Sequence, residues 1–179
     1  MEFLHSISDE QIQRITTIIL DIDGVMTDGH IGYGTGSNEE IKFFNVRDGL
    51  GARIAMRGGL KIGVLSGRRC AANTHRIQEL GFSFDYQGCF DKLEGFETLL
   101  KEQNLTPEEC LYMGDDIVDL PPMKRAGIGV TVPDNDSSLD EVADLRTSHA
   151  GGNGAVREVI EFILKGQGKW EKATEKYYR

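Results

Sequence analysis

The stretch that most constrains this chain is "TTIILDIDG", residues 16–24, where a strongly apolar, β-branched run stops at Asp21 and Asp23. A half-exposed strand would alternate apolar with polar residues. This one does not, so it predicts a central strand covered on both faces. Such a strand needs neighbours of its own kind, and "KIGVLSG", "FDYQG", "CLYMGDD" and "IGVTV" supply them. Between them lie segments of helical periodicity. Strands alternating with helices at this spacing predict a Rossmann-like α/β domain: a parallel sheet with right-handed crossovers and helices on both faces. In such sheets ligands collect beyond the carboxyl ends of the strands. Three of those ends carry unusual polar residues, in "LDIDG", "LSGR" and "MGDD".

Local signals fill in the rest. Ser8 with Gln11 three residues on reads as a capping box opening the short helix "DEQIQRI". "HIGYG" and "EIKFFNV", on either side of the turn-forming "TGSNEE", read as a protruding β-hairpin at about residues 30–46. "RDGLGARIAMRGG" follows as a helix stopped by Gly58 or Gly59, and "RRCAANTHRIQELG" as a helix with Ile77 and Leu80 inward and Gly81 as C-cap. "DKLEGFETLLKEQN" places Leu93, Phe96, Leu99 and Leu100 on one face, and "TPEE" opens a further helix at Thr106. "IVDLPPMKRAG" is a short helix and "NGAVREVIEFILKG" the last amphipathic one. A chain of 179 residues suits one domain, set here at residues 1–165, followed by a tail, 166–179, that is either frayed or a docking segment.

A formal net charge of −9 leaves no basic face for nucleic acid or an anionic membrane surface. Cys70, Cys89 and Cys110 form no CxxC pair, and no apolar run approaches a bilayer's width. A reduced, cytoplasmic setting with neither leader nor anchor is the expectation. If the substrate is an anion, the chain must gather its cations locally.

Asp21 and Asp23 fall on the same side of an extended backbone, and Asp115, Asp116 and Asp119 leave a strand end expected beside theirs. Carboxylates converging in one crevice repel unless a cation keeps them ionised. Oxygen donors without a His or Cys cluster point to Mg²⁺. With a small hydroxyl, Ser66, and a cation, Lys92, the set fits phosphoryl transfer. An Asp nucleophile would form an aspartyl phosphate, and a second acid two residues on could protonate the leaving oxygen and then deprotonate water.

"LDIDGVMTDG", "LSGR", Lys92 in "DKLEG" and "GDDIVDLP" occur in the order of the four motifs of the haloacid dehalogenase superfamily, which the chain resembles over essentially its whole length. "FFNVRDGLG", "SGRR", "YQG" and "AGGNGAVREV" resemble more narrowly the capless subfamily acting on 3-deoxy-D-manno-octulosonate 8-phosphate in lipopolysaccharide synthesis. The resemblance implies Asp21 as nucleophile and Asp23 as acid/base. It implies Mg²⁺ on Asp21, the Asp23 backbone carbonyl and Asp115, with Asp116 and Asp119 behind them. Ser66 and Lys92 would hold the phosphoryl group. Sugar contacts would fall on Asp23, Asn45, Val46, Arg47, Asp48, Gly49, Arg53, Arg68, Arg76 and Lys92.

The roughly forty residues between the first motif and Ser66 are too few for a cap domain. In the resembling subfamily a homotetramer compensates: hairpins meet at the centre and a neighbouring subunit, with its tail, covers the site. Two rival functions follow from the same residues. A nonulosonate 9-phosphate phosphatase would carry an acid at Arg68 and a base at Glu79, and a noncatalytic assembly module would not need the intact Asp21, Asp23, Ser66, Lys92 and Asp115. Asp28 is expected to steady the loop rather than touch phosphate. His5, His30, His75 and His149 share no spacing, and the glycines of "GYGTGS" read as a turn because no helix follows them.

Overall fold

The computed structural model describes residues 1–36 and 39–179. The N-terminus forms β1 (Glu2–Phe3) and α1 (Asp9–Arg14), the latter opened by the expected reciprocal Ser8–Gln11 capping box. β2 (Thr17–Leu20) is buried throughout. β3 (Gly32–Tyr33) and β4 (Glu40–Ile41) pair antiparallel as a short hairpin. Of the turn "TGSNEE" between them, Ser37 and Asn38 lie outside the described residues. α2 (Val46–Arg57), β5 (Lys61–Ser66), α3 (Ala71–Leu80) and β6 (Phe84–Gln87) follow. Next come α4 (Lys92–Gln103), β7 (Cys110–Met113), α5 (Leu120–Arg125), β8 (Ile128–Thr131) and β9 (Leu145–Arg146). α6 (Ala155–Gly166) and α7 (Trp170–Thr174) close the chain.

The main sheet has the order β1-β9-β8-β7-β2-β5-β6 and is parallel except for β1, which pairs antiparallel to β9 at one edge. β2 lies between β5 and β7, with Leu20 opposite both Val64 and Met113. Those three strands therefore end side by side. The period-2 alternation of the strands sends Ile18 and Leu20 into one core with Ala52, Ile54, Ile77, Val159 and Ile163, and Ile19 into the other with Phe96, Leu99 and Tyr112. Helices cover both faces, as expected, and no separate cap is present among the described residues.

Several local expectations needed correction. Leu93 is 40% exposed, since the apolar stripe of α4 begins only at Phe96. "TPEE" makes a three-residue 3₁₀ turn, Pro107–Glu109, because the strand resumes at Cys110. α2 starts earlier than its apolar pattern suggests, with Asn45 as N-cap accepting from the Arg47 N–H. α3 starts later, behind Cys70, which leaves Arg68 and Arg69 in the loop after β5. The segment after Gly166 is folded against its own chain. Trp170 and Ala173 join the larger core, and the Arg57 guanidinium donates to the Ala173 carbonyl at 2.8 Å.

Candidate active site

The ends of β2, β5 and β7, with the N-terminus of α4, surround an open cavity of about 650 Å³. Asp21, Asp23, Ser66, Arg68, Lys92, Asp115 and Asp116 line it, so the catalytic and metal candidates named from sequence meet there, with Asp119 directly behind. Asp21 is only 6% exposed, and its backbone N–H donates to the Met113 carbonyl, stapling the carboxylate's base to the end of β7. Gly24 explains the glycine of "DIDG". Its φ is +96°, and a Cβ there would stand 2.0 Å from Asp115 Oδ2. The loops after β2 and β7 can approach only with no side chain between them.

Lys92 is buried at the first turn of α4, an unfavourable place for a cation unless it is paired. It is paired twice: its Nζ lies 3.1 Å from Asp21 Oδ1 and 2.6 Å from Asp119 Oδ1. Asp119 is fully buried and saturated. Oδ1 also accepts from the Tyr112 hydroxyl, and Oδ2 accepts from the Asp115 and Asp116 N–H groups at 3.1 and 3.2 Å. Its oxygens lie within 4.8 Å of those of Asp21 and Asp115, yet with four donors already on them they are poor metal ligands. Asp119 instead fixes Lys92 and the backbone that carries Asp115. Asp116 caps the 3₁₀ turn after it, accepting from the Ile117 N–H.

Asp21 and Asp115 have unmet capacity. Burial pushes the Asp21 carboxyl up to about 7, with Lys92 opposing the rise and Asp119 adding to it. Burial also pushes Asp115 up to about 8, reinforced by Asp21 and Asp119. Asp115 Oδ1 is buried and has no hydrogen-bond partner among the described residues. Two crowded carboxylates, one with an orphaned oxygen, are what a hard divalent cation would satisfy. For Lys92 burial works against the charge, but Asp21 and Asp119 outweigh it and hold the ammonium above its usual range.

Ser66 closes β5, and its Oγ accepts from the Arg68 N–H at 3.3 Å, so the hydroxyl stands at the strand end. Asp23 sits across the cavity with Arg68 Nε 3.7 Å from its Oδ2. Its strongest partner was missed in the sequence: Lys42, from the segment after β4, with its side chain fully buried and Nζ 2.5 Å from Asp23 Oδ1. The signal available was the alternation in "EIKFF", which puts Glu40 and Lys42 on one side and Ile41 and Phe43 on the other. Tyr112 was also missed, being read only as a buried strand residue. Asp28, as expected, accepts from the His30 N–H in the loop and does not line the cavity.

The remaining sugar-contact candidates lie elsewhere in the single chain. Asn45, Val46, Arg47, Asp48, Gly49, Arg53 and Arg76 cluster around the start of α2 and do not line the catalytic cavity. Most of their polar groups are engaged. Asn45 Nδ2 donates to the Gly152 carbonyl at 3.0 Å, and Asp48 accepts from the Gly154 and Arg157 N–H groups at the start of α6. Arg76 is bonded to Glu79 and to the Asn45 carbonyl, while Arg53 donates to the Glu79 carbonyl.

Strand-end carboxylates, a buried lysine and a small hydroxyl around one cavity define a hydrolase of the phosphoryl-transfer type. A family model for haloacid dehalogenase-like hydrolases matches residues 45–127. The 3-deoxy-D-manno-octulosonate 8-phosphate phosphatase KdsC of Escherichia coli K12 is 42% identical over 161 residues, covering 90% of this chain and 85% of that protein. The corresponding phosphatase of Moraxella catarrhalis, solved with magnesium, phosphate and KDO, superposes with a TM-score of 0.90 at 36% identity, covering 94% of this chain and 97% of that one. The cobalt-bound phosphatase of Haemophilus influenzae gives 0.85 at 37% identity over 89% of this chain and 93% of its own. The chain belongs to the haloacid dehalogenase-like hydrolases, and within them to the family of 3-deoxy-D-manno-octulosonate 8-phosphate phosphatases.

Proposed function

We propose that this protein hydrolyses 3-deoxy-D-manno-octulosonate 8-phosphate to the free sugar acid and phosphate, as a step of lipopolysaccharide synthesis. The observation that carries the reading is the convergence of Asp21, Asp23, Ser66, Lys92 and Asp115 on one open cavity in a chain 42% identical to enzymes of that activity. Asp21 and Asp115, with the Asp23 backbone carbonyl, are the residues that would hold Mg²⁺. Bound there, the ion would neutralise charge on the phosphoryl oxygens and keep both carboxylates ionised. Asp21 attacks phosphorus through a carboxylate oxygen, forming an aspartyl phosphate as the bond to the sugar oxygen breaks. Asp23 gives that oxygen a proton and later takes one from the water that hydrolyses the aspartyl phosphate. Lys92 and Ser66 hold the phosphoryl oxygens, and Arg68 faces the sugar acid.

We read the chain as one phosphatase domain working in the cytoplasm as a homotetramer. Support comes from the hairpin's outward face, where Tyr33, Ile41 and Phe43 are 72%, 45% and 79% exposed, and from the absence of a cap among the described residues. A neighbouring subunit would then bring its α2 residues, Asn45 to Gly49 and Arg53, with Arg76, to the open side of the cavity. The segment after α6 is held on its own domain through α7, with Trp170 and Ala173 in the core. The test is phosphate release from octulosonate, nonulosonate and smaller sugar phosphates, with Mg²⁺ or EDTA. Turnover is expected to favour the octulosonate ester and to vanish with EDTA. No release from any of them would refute the phosphatase reading.

A further inference from the structure

Lys42 belongs to a segment whose polarity is inverted. Ile41 and Phe43 face solvent, while Glu40 and Lys42 face the protein, and the Lys42 side chain is completely buried. Burying an ammonium is costly unless it is paired and hydrogen-bonded, and the hairpin contributes little else to the core. Packing alone would place an aliphatic residue here. The partner Lys42 meets is Asp23, at Oδ1. Facing the same carboxylate, Arg68 reaches toward Oδ2 at 3.7 Å but bonds to Glu40 Oε1 at 3.0 Å. The two oxygens of Asp23 are thereby made unlike: Oδ1 is tied to the hairpin, and Oδ2 stays open to the cavity.

Resting on the acid/base reading of Asp23, we propose that Lys42 is a positioning residue that holds the Asp23 carboxyl by Oδ1 and thereby aims Oδ2 at the leaving oxygen of the substrate. In the first step the phosphorus–sugar oxygen bond breaks, the bond from phosphorus to Asp21 forms, and the Oδ2 proton passes to the sugar oxygen. A sugar alkoxide is a poor leaving group and needs that proton as the bond breaks. A nitrophenolate needs almost none. The contribution of Lys42 is therefore readable as dependence on the leaving group, which a purely structural lysine would not produce.

The experiment compares kcat/KM for octulosonate 8-phosphate and for p-nitrophenyl phosphate in the unsubstituted protein and in Lys42→Met, whose side chain retains the apolar stem. General acid catalysis supplies about 100-fold or more, so Lys42→Met is expected to lower kcat/KM on the sugar ester by roughly 100-fold and on the aryl ester by less than about 5-fold. Lys42→Gln, which keeps a donor for Oδ1, is expected to fall between the two proteins on the sugar ester. Parallel losses on both esters in Lys42→Gln, or no loss on either ester in Lys42→Met, would overturn the role of Lys42. Failure of the unsubstituted protein to cleave either ester would instead remove the phosphatase reading itself, so the two failures are separable.

Discussion

Two polar regions of this molecule look alike in sequence and differ in physical state. Around the ends of β2 and β7, Asp21 and Asp115 are crowded, their carboxyls pushed up by burial to about 7 and about 8, and Asp115 Oδ1 has no hydrogen-bond partner among the described residues. Around the start of α2, Asn45, Asp48, Arg53 and Arg76 are also polar and clustered, but most of their groups are bonded within the chain. The first region has capacity that only a ligand can take up. The second has most of its groups satisfied as it stands, so any contact it makes with substrate comes in addition to its local bonds.

The strongest test of that contrast is Asp21→Asn. An amide cannot serve as the nucleophile, and a loss of roughly 10⁴-fold or more in kcat is expected, with the fold retained because β2 keeps its apolar run. Circular dichroism and single-turnover phosphate release measure the two halves of that statement. Retained turnover would remove Asp21 as nucleophile.

Next in size is the response to metal and pH. Without metal, the raised carboxyls of Asp21 and Asp115 make the folded state bind more protons than the unfolded state between about pH 4 and pH 8. By linkage, stability then falls as pH rises through that window. The melting temperature of the metal-free protein is expected to drop from pH 5 to pH 8, and Mg²⁺ to recover it at pH 8. At about 100 times its dissociation constant a ligand adds about 2.7 kcal/mol, or roughly 5–10 °C for a chain of this size. Equal Mg²⁺ effects at pH 5 and pH 8 would mean that these carboxyls are not where the ion binds.

Asp48→Ala probes the other region. Its carboxylate accepts from Gly154 and Arg157 at the N-terminus of α6, so its loss is expected to cost about 2 kcal/mol of unfolding free energy in a urea titration. An Asp48 that serves substrate alone would leave that stability unchanged.

The difference between the regions also explains what was legible in the sequence. The strands, their order of helices and the polar residues at their ends follow from periodicity and from rules that hold for any parallel sheet, so Asp21, Ser66 and Asp115 could be placed together in advance; Lys92, at a helix start, joined them through the family motif. Asp119 was read as lying behind the metal ligands, but nothing local shows that Tyr112 and Lys92 would both bond to it. Lys42 was overlooked for a different reason. A lysine in a hairpin is usually solvated, and the alternation in "EIKFF" pairs it with Glu40 without saying which side faces the protein; the chain's path turns that side inward. The edge strand β1 escaped notice because two residues carry no periodicity. Trp170 and Ala173 lie in a charged segment whose average composition hides two apolar positions spaced for one helical face.

The smallest expected effect is the most informative about assembly. Arg53 lies outside the catalytic cavity of its own chain and donates to the Glu79 carbonyl, a bond on the protein surface. If a neighbouring subunit carries it to the sugar acid, Arg53→Ala removes a cation from the far end of the substrate and none from the phosphoryl site. KM for octulosonate 8-phosphate is then expected to rise roughly 10-fold, about 1.4 kcal/mol, while p-nitrophenyl phosphate, which lacks the sugar acid, is unaffected. The same substitution should leave the melting temperature nearly unchanged, because one exposed hydrogen bond contributes little to stability. An unchanged KM would confine the α2 region to structure. An equal change on both esters would place Arg53 at the phosphoryl group, which its position in the single chain does not allow.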